Sequence, residues 1–72
     1  MKKVYKLQDL DCANCAAKME KAISKIDGVQ SVRVNFMTQK MTLEADDARF
    51  ESIIDEAARQ IKKIEPDCMI IR

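Results

Sequence analysis

Apolar and polar positions switch period several times along the chain, and each switch marks an element. Val4 to Gln8 alternates, with Tyr5 and Leu7 on one face and Lys6 and Gln8 on the other, which predicts a short strand. A polar stretch, Asp9 to Cys12, follows. From about Asn14 to Ile26 the apolar positions Cys15, Met19, Ala22, Ile23 and Ile26 recur at helical spacing. Asp27-Gly28 reads as the stop, because the chain's one glycine stands where a helix end wants positive φ. Val32, Val34 and Phe36, then Met41 and Leu43, alternate again around the short link Met37-Thr38-Gln39, which predicts an antiparallel hairpin. That link carries no Asn-Gly or Asp-Gly turn signal. Asp46-Asp47 offers a helix cap, and Phe50, Ile53, Ile54, Ala57, Ala58 and Ile61 form one apolar stripe. Pro66 bars continuation, and Cys68 to Ile71 reads as a last strand.

The order β-α-β-β-α-β, with one stripe per helix, predicts an α+β, ferredoxin-like open-faced sandwich. Its four-stranded antiparallel sheet would be covered on one face by two helices. One domain spanning residues 1–72 accounts for the whole chain. In that topology the loop after the first strand lies beside the connection from the second helix to the last strand.

Composition then removes several functions. Thirteen basic and twelve acidic residues leave a net charge of +1, which makes no electrostatic case for nucleic acid or an anionic membrane surface. No apolar run is long enough to span a membrane, and no signal peptide is visible. There is no histidine, so imidazole acid/base chemistry, a Cys-His nucleophile and imidazole metal ligation are all excluded. A domain this small has a thin core and no room for a deep catalytic cleft. It is therefore not expected to be an enzyme. Three cysteines, an odd number unevenly spaced, argue against a secreted disulfide scaffold and for a reducing, cytoplasmic setting.

Two of those cysteines, Cys12 and Cys15, bracket the first helix start as C-x-x-C. Thiolates bind metal, and a helix N-terminus favours negative charge, so this spacing suits one ion held by two sulfurs. A thiol–disulfide redox module is the competing reading. It lacks support: the intervening pair is Ala-Asn, there is no tryptophan, and the one proline is Pro66. A closed four-ligand zinc knot fails on ligand count.

The stretch LDCANCAAKMEKAISKIDGVQSVRVNFMTQKMTLE resembles the heavy-metal-associated domain. That domain is found in copper chaperones, in a periplasmic mercury-binding protein and in the tails of metal-exporting P-type ATPases. The resemblance implies metal held by Cys12 and Cys15, and hand-over to a partner, either another domain of a parent ATPase or a similar metal-binding domain. Asp9, Leu10 and Asp11 depart from the copper branch, and DCxxC with KKIEPD is similar to the zinc/cadmium/lead-exporting ATPases. A start at Met1 and an end at Arg72 fit either an excised domain or a small intact protein.

Cu(I) is satisfied by two thiolates, whereas Zn(II) with two thiolates is two ligands short. Asp11 can supply a harder oxygen, which Cd(II) and Pb(II) also accept. Asp11 is thus expected as a third ligand, the alternative being a helix cap. A free-standing metallochaperone, for Cu(I) among other ions, is the runner-up. Glu65 is a candidate fourth ligand, beside water or a group from a second copy in a metal-bridged dimer; otherwise the domain is expected as a monomer. Lys62 or Lys63 is a candidate for stabilising the thiolates in the apo state. Cys68 shares the inward parity of Ile70 and is expected in the core more than at the metal. Leu10 and Met19 are expected to pack beneath the loop.

Overall fold

A computed structural model describes residues 1–71 of the chain; Arg72 lies outside them. The elements are β1 (Lys2–Gln8), α1 (Ala13–Ser24), β2 (Val29–Asn35), β3 (Lys40–Ala45), a 3-10 turn (Asp47–Arg49), α2 (Phe50–Ile64) and β4 (Met69–Ile71). The turn runs directly into α2. The sheet order is β2-β3-β1-β4 with every neighbouring pair antiparallel. This is the ferredoxin-like βαββαβ sandwich that the pattern predicts.

Alternation builds the core. Leu7 on β1, and Met41, Leu43 and Ala45 on β3, turn inward to meet Met19 and Ile23 of α1 and Ile53, Ile54 and Ile61 of α2. All are buried. Leu10, in the loop after β1, is fully enclosed in the same cluster, and Cys68, just before β4, is buried with it. The expected inward positions of Leu10, Met19 and Cys68 are the observed ones.

Several boundaries differ from the pattern, each for a tertiary reason. β1 starts at Lys2 because Lys2 and Lys3 pair with Glu44 and Leu43. The Met1 ammonium donates to Ala45 O at 2.8 Å. α1 ends at Ser24, with Lys25 as a right-handed cap, three residues short of Gly28. Gly28 does have positive φ (+97°), but in the turn into β2. A Cβ there would stand 2.9 Å from Ile53 Cδ1, so the glycine serves the close approach of α2. The hairpin closes without an Asn-Gly pair. Asn35 Oδ1 accepts from Met37 N–H (2.9 Å) and Thr38 N–H (3.2 Å), and Gln39 takes the positive φ (55°). β4 starts at Met69, because the Cys68 N–H bonds back to Glu65 O at 3.0 Å and closes a turn around Pro66.

Candidate metal centre

Cys12 is the N-cap of α1. Its backbone is extended (φ −132°, ψ 119°), and its Sγ accepts the Cys15 N–H at 3.2 Å. A sulfur thus takes the place usually held by a serine or aspartate oxygen, satisfying one of the helix's unpaired donors. Asp11 is therefore not the cap. The Cys12 carbonyl receives the Ala16 N–H at 3.0 Å, which sets Cys15 in the first helical turn. Both side chains are half-buried, free of disulfides, and in hydrogen-bond contact with each other.

That contact gives the two thiols different acidities. The hydrogen bond from the Cys15 side chain, aided by the Cys15 and Asn14 N–H groups, holds Cys12 below the ordinary thiol range. The same bond leads in pushing Cys15 up, helped by burial and by the charges of Cys12 and Glu65; Lys18 offsets this in part. The pair is therefore unequal, Cys12 giving up its proton more readily than Cys15. Buried Cys68 is pushed up to about 11, first by burial and then by Glu65, Asp9 and Asp11. Its thiol stays protonated and packed.

Two distant segments hold the loop from either side. Gln39, in the β2–β3 turn, donates its side-chain amide to Leu10 O at 2.7 Å, while its own carbonyl accepts the Leu7 N–H at 2.7 Å. Glu65, just past α2, accepts the Asp11 N–H on Oε1 at 3.2 Å. Its other oxygen, Oε2, is buried and has no hydrogen-bond partner. The metal loop and the α2–β4 connection meet as the topology requires.

The remaining expected residues separate. Asp11 is exposed at the rim, joined to Glu65 through its backbone rather than its carboxylate. Cys68 faces the core at 1 % exposure, so it is not presented beside Cys12 and Cys15. Lys63 is exposed, and its charge acts on Glu56. A cation that does act on Cys15 is Lys18, three residues further along α1. Among the described residues no three Cys, Asp or Glu side chains stand ready-made around a common point. A third ligand would come from rotation of an exposed side chain or from outside.

The thiols should therefore label in order. Iodoacetamide at neutral pH is expected to modify Cys12 first, with a rate–pH profile shifted below that of a free thiol, then Cys15. Cys68 should resist until denaturant is added. Mass spectrometry of peptides from timed quenches checks this.

An open-faced sandwich with paired thiols at a helix start defines a small metal-binding module. The model of the heavy-metal-associated domain matches residues 4–67, and the chain belongs to that family. It is 33% identical over 66 residues to a cadmium, zinc and cobalt-transporting ATPase of Bacillus subtilis, covering 92% of this chain but 9% of the ATPase. It is 39% identical over 64 residues to a cadmium-transporting ATPase of Staphylococcus aureus, covering 89% of this chain and 9% of that protein. Among solved structures, the CopZ metallochaperone superposes with TM-score 0.77 at 20% identity, covering 99% of this chain and 100% of that one. Oxidized MerP from Ralstonia metallidurans superposes equally well (TM-score 0.77, 22% identity, covering 100% and 97%). The domain is a non-catalytic heavy-metal-binding module, and no helix among the described residues is long and apolar enough to cross a membrane.

Proposed function

We propose that the domain captures a divalent Zn(II), Cd(II) or Pb(II) ion on Cys12, Cys15 and Asp11, acting as the cytosolic N-terminal domain of a metal-exporting P-type ATPase. The observation that carries this reading is the charge around the sulfur pair. Glu65 works against ionisation at both thiols, although hydrogen bonds leave Cys12 lowered as a whole; after burial, Glu65, Asp9 and Asp11 raise Cys68, and Lys18 offsets part of the rise at Cys15. Two thiolates with a carboxylate carry three negative charges. A monovalent ion would leave two of them in a site already short of positive charge, whereas a divalent ion leaves one. Two sulfurs also satisfy Cu(I) but leave Zn(II) short of its tetrahedron.

In this reading Asp11 swings its exposed carboxylate over the ion while its N–H stays on Glu65. Glu65 keeps Oε2 for the ion or for a water bound to it. The ion is cargo. An incoming thiolate or carboxylate from another domain of the transporter, or from a similar metal-binding domain, enters the open position and displaces the sulfurs one at a time. The matches to cadmium- and zinc-transporting ATPases over nearly the whole of this chain support that partner class.

Asp11→Ala separates the ligands by hardness. It is expected to weaken Zn(II) binding by about 10–100-fold while Cu(I) affinity hardly moves, measured by competition with chromophoric chelators under reducing conditions. Unchanged zinc affinity and zinc-over-copper preference would remove Asp11 from the site and return the copper-chaperone reading. A domain that stays empty with every ion yet cycles between dithiol and Cys12–Cys15 disulfide would be a redox module instead.

A further inference from the structure

The net charge of +1 conceals a segregation. The helices cover one face of the sheet, and the other face presents Lys2, Lys6, Arg33 and Lys40, all exposed. The carboxylate on that face is Glu44, which stands opposite Lys2 in the register and accepts the Ser31 hydroxyl at 3.3 Å, leaving Lys6, Arg33 and Lys40 without an acidic cross-strand partner. Lys6 and Lys40 are direct cross-strand partners, a like-charge pairing that weakens a sheet and has no structural purpose of its own. Between and beside the cations stand Val4 at 60%, Met69 at 52% and Ile71 at 42% exposure, with Ile71 paired to Lys6. Lys2, Ser31, Val32, Arg33 and Thr42 border a shallow recess of about 430 Å³ with two cations at its rim.

We propose that this open sheet face docks on an anionic phospholipid surface, with the cations on the headgroups and Val4, Met69 and Ile71 at the acyl boundary. Cations mixed with a few apolar side chains on one flat face are what such a surface binds. Single-stranded nucleic acid is a poorer match, because no aromatic ring is offered for stacking: Tyr5 and Phe36 pack against the core. The orientation also leaves the metal loop usable. Cys12 and Cys15 follow the end of β1, in the loop that carries Asp9 and Asp11 and meets Glu65, outside the strand positions that hold the cations. The inference goes beyond the metal assignment and does not depend on it.

The test is co-sedimentation of the domain with vesicles of phosphatidylglycerol and phosphatidylcholine in equal parts, against phosphatidylcholine alone, at low salt. Partitioning is expected to favour the anionic vesicles on the order of 10²-fold and to fade as salt is raised. Lys6→Gln with Lys40→Gln should lose about tenfold or more of that preference, while Lys21→Gln with Lys25→Gln, on the helix side, should keep most of it. Both double variants should melt cooperatively and titrate zinc as the parent does, so failure here is distinct from failure of the metal reading. Equal binding to both vesicle types, or equal loss in both variants, overturns the proposal. So does release by millimolar inorganic phosphate at constant ionic strength, which marks a free-anion site. Tighter capture by soluble polyglutamate than by vesicles would assign the face to an acidic protein.

Discussion

Cys12→Ser and Cys15→Ser should each weaken zinc binding by on the order of 10²-fold, the largest functional effects expected of any single change. A structural four-ligand zinc site is worth roughly 10–16 kcal/mol, so one thiolate carries on the order of 3 kcal/mol. Cys12→Ser is the cleaner experiment. Cys12 also caps α1 through its Sγ, and serine is among the best capping residues, so the fold should survive while the ligand is lost. Far-ultraviolet circular dichroism verifies the fold, and chelator competition reads the affinity. A loss below about threefold in either variant would mean that the sulfur pair is not the binding site.

Leu10→Ala should produce the largest loss of stability from outside the helices and sheet. Leu10 is fully buried although it sits in a loop, and it is flanked by the clamps from Gln39 and Glu65. Removing a buried leucine costs about 2–5 kcal/mol, out of a total near 4–11 kcal/mol for a domain of this length. The melting temperature should fall by at least about 10 °C. Met37→Ala provides the contrast: Met37 is 86 % exposed at the hairpin turn, and its loss should leave the melt unchanged. A Leu10→Ala melt within about 3 °C of the parent would mean that the loop is held by its hydrogen bonds rather than by this plug.

The legible parts of the fold are those governed by one local rule. The stripe from Phe50 to Ile61 and the alternation around Met41 and Leu43 predicted elements whose apolar faces are the observed core. The C-x-x-C spacing located the sulfur pair because both residues belong to one helix start. Contacts made across the sequence were not legible. Nothing local to Gln39 says that its side chain reaches Leu10, since that bond exists only after the hairpin has folded beside the loop. Lys63 stands at the helix end expected beside the thiols, yet its charge is felt at Glu56. Lys18 could have been found, because three residues beyond Cys15 is one helical turn. The sheet's basic face was invisible to a net charge summed over both faces.

The central claim, a divalent ion held by two sulfurs and completed by oxygen, is tested most directly by zinc K-edge absorption spectroscopy of the one-to-one complex. Two sulfur neighbours at about 2.3 Å with oxygen neighbours at about 2.0–2.2 Å are predicted, the oxygen shell diminishing in Asp11→Ala. Four sulfurs at about 2.3 Å, the signature of an ion shared between two copies, would contradict it.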